Sequence, residues 1–112
     1  MKIELNKLIR DGLIDIFEKR GYKTSYHEMT DINEITKSLS NKIKEEAAEV
    51  SEAIVGNDCI HLMEEIGDLY DVVDAVCKEL DLDKDCIEHM RKSKRKRLGG
   101  FDKKIFCEYY EN

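Results

Sequence analysis

The chain has 112 residues and a formal net charge of −6, with 39% of its residues charged and 41% apolar. This length is typical of a single domain, here residues 1–112, that buries roughly two-thirds of its unfolded surface. The acidic balance argues against a specific nucleic-acid-binding protein, and no apolar run approaches the roughly 20 residues of a membrane span. The first residues lack the apolar core of a signal peptide and the four cysteines form no C-x-x-C pair, so we expect a cytoplasmic protein with reduced thiols.

Apolar residues recur at helical spacing along most of the chain and predict an all-α fold. The predicted helices, in chain order, cover residues 5–19, 32–55, 58–80 and 83–98. Gly21 is expected to end the first helix, and Asp31 is expected to cap the second. The turn at Gly56 and Asn57 is so short that helices two and three form an antiparallel hairpin. Two β-prone stretches, residues 22–27 and 104–108, are predicted to be short extended segments.

Helix three is predicted to be apolar over a wide arc. Tyr70, Val73 and Cys77 lie beside the stripe that runs from Leu62 to Val76. Because a domain of this size has a small core, we expect this arc to pack against a second copy. The prediction is a four-helix-bundle-like core formed on dimerisation, with a homodimer as the first choice and a tetramer as the second.

Two acidic pairs with the same spacing interrupt the apolar stripes of the hairpin. Glu46 and Glu49 form an E-x-x-E pair, and Glu65 and Asp68 form an E-x-x-D pair. Residues three apart on a helix point the same way, so each pair presents two carboxylates to one side. Glu49 lies about as many residues before the turn as Glu65 lies after it. The two pairs are therefore expected to face each other at similar positions along the two helix axes.

Carboxylates in a core-facing stripe cost several kcal/mol unless something neutralises them. The sequence places no basic residues equally well, so a divalent cation held by oxygen ligands is the predicted neutraliser. Such ligands suit Mg²⁺ or Mn²⁺, whereas the histidines and cysteines are not spaced for zinc. The alternative is a solvated acidic face, which is the usual explanation of an isolated E-x-x-E pair.

Three motifs resemble one known family. The segment from Lys42 to Glu49, followed by Glu65 to Asp68, is similar to the E-x-x-E and E-x-x-D signature of the MazG-like all-α nucleoside triphosphate pyrophosphohydrolases. Residues 6–11 (NKLIRD) and 96–101 (KRLGGF) look like flanking motifs of the phosphoribosyl-ATP pyrophosphohydrolase-like branch. Family members often carry a proline soon after the Arg-Asp pair, where this chain has Gly12. This difference is expected to make helix one less rigid.

The resemblance implies hydrolysis of the bond between the α- and β-phosphates of a nucleoside triphosphate, with Mg²⁺ bound by the acidic motif. Its products are a monophosphate and pyrophosphate, and the expected physiological use is housecleaning of the nucleotide pool. Phosphoribosyl-ATP hydrolysis is a narrower alternative. A catalytically silent nucleotide-binding or structural protein of the same fold is the alternative from another class.

Carried over by position, the resemblance implies that the metal ligands are Glu46, Glu49, Glu65 and Asp68. Glu45 is next to them in the sequence and is expected to orient or deprotonate the attacking water, with an exposed surface glutamate as the equal alternative. Phosphate oxygens that do not bind the metal need positively charged side chains as partners. The candidates for these contacts are Lys7 and Arg10 on helix one, and Lys94 and Arg97 in the basic run of helix four.

Two weaker expectations concern residues at the margin of this site. Asp71 lies one turn past Asp68 and is a candidate ligand of a second metal, and Lys103 and Lys104 are candidate tail contacts. Ordinary surface charges, including cations that complement the C-terminal dipole of helix four, remain the alternative for all of these basic residues.

Overall fold

The computed structural model describes residues 1–112 and confirms the all-α fold. It contains four helices and no strand. Their bounds are α1 Leu13–Lys19, α2 Ile32–Val55, α3 Cys59–Glu79 and α4 Lys84–Leu98. Residues 22–27 and 104–108 lie outside the helices and join no sheet, so the predicted extended segments do not become strands. None of the helices is sufficiently long and apolar to span a lipid bilayer.

The chain divides into two compact units, Met1–Val76 and Cys77–Asn112, and the boundary falls inside α3. The first unit contains α1, α2 and most of α3. The second contains the end of α3, then α4 and the C-terminal segment.

The predicted helix hairpin forms the centre of the first unit. Asp31 caps α2 by accepting a hydrogen bond from the Glu34 amide at 3.1 Å. Asn57 adopts a left-handed conformation with φ of 59° in the turn. Asp58 then caps α3, because its Oδ1 accepts hydrogen bonds from the amides of Ile60 and His61, each at 3.1 Å. Only Gly56, Asn57 and Asp58 lie between the two helices, and a connection this short holds α2 and α3 antiparallel, which brings their middle turns together.

Few apolar side chains are buried in this unit. Leu39 and Ala53 of α2 and Val72 of α3 are the buried hydrophobic residues between Met1 and Val76. Tyr70 and Val73 of α3 remain 67% and 44% exposed, whereas Cys77, the third residue of the predicted arc, is buried at 5% exposure, so only part of this arc is uncovered within the chain. Association with a second copy through this arc stays a prediction.

Helix one is shorter than predicted. Residues 5–12 are not helical, and α1 begins at Leu13 after Gly12, which provides no side-chain cap. Asn6 has a positive φ of 47°, which an α-helix does not accommodate. Leu5 is 43% exposed, so the apolar spacing of this stretch does not mark a buried helix face. Gly21 ends α1 as predicted, with φ of +78° and its amide donating to the Glu18 carbonyl at 2.9 Å.

The second unit contains α4, whose boundaries match the prediction. Asp83 caps it by accepting hydrogen bonds from the amides of Asp85 and Cys86 at 2.8 and 3.4 Å. Gly99 ends the helix with φ of 82° and donates from its amide to the Arg95 carbonyl at 2.7 Å. Because φ at this position is positive, glycine is favoured there over residues with a side chain.

Candidate functional site

The acidic pairs of α2 and α3 form one cluster. A carboxylate oxygen from each of the four side chains lies within 4.8 Å of the other three. Glu46 is buried, and the other three are half-buried. The cluster comprises Glu46, Glu49, Glu65 and Asp68. The hairpin therefore brings together all four residues that the sequence analysis named as metal ligands.

Two oxygens of this acidic cluster have no hydrogen-bond partner in the protein. They are Oε2 of Glu46 and Oε2 of Glu65, both buried and one from each helix of the hairpin. An unpartnered buried carboxylate oxygen is costly, because the charge has lost water without gaining a donor. Oxygens of this kind, converging from facing helices, fit a hard divalent cation such as Mg²⁺ or Mn²⁺.

Burial and the neighbouring carboxylates raise the pKa values of Glu46 and Glu49. Burial is the main factor that raises the pKa of Glu46, and a hydrogen bond with Glu49 raises it further. The pKa of Glu49 is raised mainly by a hydrogen bond to Glu65, with burial as the second cause. Each shift shows that the charged form is disfavoured. A bound cation favours that charged form and opposes both shifts.

Lys42 is a cationic neighbour that the sequence analysis missed. Its ammonium group lies 3.1 Å from Oε2 of Glu45 and 3.6 Å from Oε1 of Glu46, and its side chain is only 14% exposed. The expectation that no basic residue is placed as well as the acidic pairs was therefore wrong. The signal was present in the sequence, because Lys42 precedes Glu46 by four residues and thus lies on the same helix face.

Glu45 lies beside the cluster, where the sequence analysis placed it. Lys7 donates a hydrogen bond to its Oε1, and Lys42 donates to its Oε2. The hydrogen bond from Lys7 is the largest cause that lowers the pKa of Glu45, and the same bond raises the pKa of Lys7. A carboxylate held by two ammonium groups is a weak base, so this geometry favours orientation of a water molecule over its deprotonation.

Arg10 contacts the other side of the hairpin. Its Nη2 donates to Oδ1 of Asp68 and its Nη1 donates to Oδ2 of Asp71, both at 2.8 Å. The hydrogen bond to Asp71 is the largest cause that raises the pKa of Arg10. The prediction that Lys7 and Arg10 lie on helix one was wrong, because their segment is not helical. They nevertheless both reach the acidic residues of the hairpin.

Lys94 and Arg97 lie on α4 in the second unit, and both are exposed. The basic residues in the last turn of α4 include Arg97, and cations at a helix C-terminus complement the helix dipole. Lys103 and Lys104 follow in the exposed C-terminal segment. A contact of these residues with substrate stays a prediction.

Comparison with protein families identifies one match. The family model described as MazG nucleotide pyrophosphohydrolase domain matches residues 34–97, which is more than half of the chain. The matched region includes the whole acidic cluster and excludes Lys7 and Arg10. Neither the curated proteins nor the solved structures yielded a significant match.

Proposed function

Because the chain belongs to the MazG nucleotide pyrophosphohydrolase family, we propose that it is a Mg²⁺-dependent enzyme that hydrolyses the α–β phosphate bond of nucleoside triphosphates. Water adds to the α-phosphorus and the bond to the bridging oxygen breaks, so that the products are a nucleoside monophosphate and pyrophosphate. The supporting observation is the set of four carboxylates within 4.8 Å of one another on two facing helices. Housecleaning of the nucleotide pool is the proposed physiological use.

The proposed ligands of Mg²⁺, or of Mn²⁺, are the four residues of the acidic cluster. When bound, the metal neutralises phosphate charge and polarises the phosphoryl oxygens. The unpartnered Oε2 atoms of Glu46 and Glu65 support this assignment, because they are the oxygens that most need a cationic partner. Lys42 holds the other oxygen of Glu46, which leaves Oε2 available to a ligand.

The chain's own cations are proposed to bind the phosphates that the metal does not meet. Lys7 and Arg10 already contact acidic residues at the cluster, so both lie close to the proposed position of the polyphosphate. Lys94 and Arg97 are proposed as further phosphate contacts. Arginine binds a phosphate with two parallel N–H donors, whereas lysine acts as a point charge.

Glu45 is the proposed positioning group for the attacking water. It lies next to Glu46 on α2, and its carboxylate accepts hydrogen bonds from Lys7 and Lys42. When Lys7 turns towards a phosphate, one carboxylate oxygen of Glu45 becomes available to accept a hydrogen bond from water. The proton that leaves the water during attack then passes to solvent or to the phosphate oxygens.

A substrate panel tests the proposal most directly. The purified protein is incubated with Mg²⁺ and each common ribonucleotide and deoxyribonucleotide, and with phosphoribosyl-ATP, and the products are resolved by anion-exchange chromatography. Monophosphate and pyrophosphate in equal amounts are the expected products. Release of diphosphate and inorganic phosphate from the triphosphates contradicts the assigned bond. Tight nucleotide binding without turnover on any substrate favours the silent binding protein instead.

Two glutamate variants serve as a matched pair in this assay. Glu65→Gln removes a charge from the acidic cluster, and Glu64→Gln removes the same charge from the neighbouring exposed position on α3. We expect the first change to reduce the rate of pyrophosphate release by about 100-fold or more, since each metal ligand is needed for charge stabilisation. The second is expected to leave the rate within about twofold, because its carboxylate lies outside the acidic cluster.

A further inference from the structure

The non-helical segment before α1 is attached to both helices of the hairpin by its charged side chains. Lys7 donates to Glu45 on α2, and Arg10 donates to Asp68 and Asp71 on α3. Between these two cations, Leu8 and Ile9 are half-buried. The segment therefore crosses the hairpin at the acidic cluster, with one cation bonded on each side.

Arg10 bonds to one of the proposed metal ligands. Its two N–H donors divide between Asp68, a member of the acidic cluster, and Asp71, which is outside it. The guanidinium thus places a fixed positive charge beside the position proposed for a divalent cation. Two positive charges so close repel, and Arg10 and the metal therefore compete for Asp68.

The ion pairs that Arg10 forms with Asp68 and Asp71 are exposed to solvent, so Arg10 can exchange these partners for others. The Arg10 side chain is 57% exposed, and those of Asp68 and Asp71 are 41% and 59% exposed. Ion pairs at such exposure contribute little to stability. A polyphosphate carries about four negative charges and accepts both arginine donors at once, so it is a stronger partner than two separate aspartates.

From this geometry we propose that Arg10 exchanges partners during substrate binding. Without nucleotide it bonds to Asp68 and Asp71 and weakens divalent cation binding, and with nucleotide it leaves both aspartates for the polyphosphate. Asp71 is then a positioning residue that keeps Arg10 at the edge of the acidic cluster. This inference rests on the proposed function and adds a coupling to it: the nucleotide removes the competitor and tightens the metal, and the metal tightens the nucleotide by the same factor.

Calorimetric titration of the full chain with Mg²⁺ tests the exchange without turnover. The titration is done with and without the non-hydrolysable α,β-methylene analogue of ATP. In the absence of nucleotide, Arg10→Gln is expected to tighten Mg²⁺ binding by about twofold to fivefold, the range for an exposed ion pair. The same variant is expected to bind the analogue at least about tenfold more weakly, because a charge-assisted contact is lost.

Arg20→Gln is the matched control, since Arg20 is an exposed arginine just after α1. It removes the same charge and is expected to change neither affinity by more than about twofold. Weaker or unchanged Mg²⁺ binding by Arg10→Gln overturns the proposal, since it shows that Arg10 orients Asp68 for the metal or does not affect it. Unchanged affinity for the analogue overturns it equally.

Limited trypsin cleavage of the wild-type chain after Arg10 gives an independent measurement. Mg²⁺ alone is expected to accelerate this cleavage, because Arg10 is displaced from its aspartates, and Mg²⁺ with the analogue is expected to slow it. Equal rates in the three conditions contradict the exchange. A protein that shows the exchange but releases no pyrophosphate refutes the proposed function alone, so the two failures are distinguishable.

Discussion

Replacing Glu49 by glutamine should separate the stability of the metal-free protein from metal binding. The Glu49 carboxylate lies in a cluster whose four oxygens are within 4.8 Å of one another, where two unit charges repel by about 1 kcal/mol in water and about 3 kcal/mol at a dielectric constant of 20. The lower value is the better guide, because the residue is half-buried and solvent therefore screens its charge. Glu49→Gln is therefore expected to leave the free energy of unfolding without metal equal to that of wild type, or higher by about 1 kcal/mol.

The same change should remove most of the stabilisation by Mg²⁺. At an ion concentration of about 100 times the Kd, a ligand that binds only the native state contributes about 2.7 kcal/mol, which raises the Tm of a domain of this size by roughly 10 °C. Loss of one ligand that weakens binding about 100-fold reduces this gain to about 0.4 kcal/mol, or roughly 2 °C.

Thermal unfolding followed by circular dichroism, with and without Mg²⁺, measures both effects. Glu64→Gln is the control, because it removes the same charge from an exposed position of α3 outside the acidic cluster. If Glu49→Gln keeps a Mg²⁺-induced Tm shift and a rate of pyrophosphate release close to those of wild type, the site assignment is wrong. The acidic pairs are then only a solvated face.

Three further predictions concern pH, packing and assembly. The pKa values of Glu46 and Glu49 are raised above 4.5 in the native state, so at a pH above 4.5 the native state binds more protons than the unfolded state. The Tm of the metal-free protein should therefore rise as the pH is lowered from 7 towards 4.5. The Mg²⁺-induced shift should shrink over the same range, and a metal-free Tm that falls steadily instead contradicts the pKa directions. Leu39→Ala is expected to cost about 2 to 5 kcal/mol in urea unfolding, since Leu39 is only 4% exposed, whereas Ile54→Ala at a 63% exposed position should cost under about 1 kcal/mol. Light scattering at micromolar concentration is expected to give a dimer, and Tyr70→Glu on the uncovered face of α3 should shift it towards monomer; a wild-type monomer removes the prediction of assembly.

Local sequence signals were sufficient for the hairpin and α4. Asp31 is an N-cap at the position where the sequence analysis placed it, and Gly21 and Gly99 have the positive φ that favours glycine at helix ends. These features depend on interactions within a few residues of the chain, which a sequence displays directly. The convergence of the acidic pairs was predictable for the same reason, since helical spacing and a short turn determine the height of each pair.

Helix one shows where local pattern is insufficient. Residues 5–12 have helical apolar spacing, yet Asn6 adopts a positive φ and α1 starts only at Leu13. The cations of this stretch bond to Glu45 on α2 and to two aspartates on α3, which lie 38 to 61 positions away. Such long-range partners compete with helix formation and leave no signal in the spacing of nearby residues.

The sequence by itself determined the secondary structure of the hairpin and the identity of the four converging carboxylates, because both follow from neighbours at helical spacing. Only the tertiary structure decided which charges the protein already uses to neutralise them. Lys42 at Glu45 and Glu46, and Arg10 at Asp68, are specific pairings whose geometry depends on side-chain packing and on the path of the preceding segment. Coulomb energy depends on distances between atoms, and distances across different elements exist only once the chain is folded.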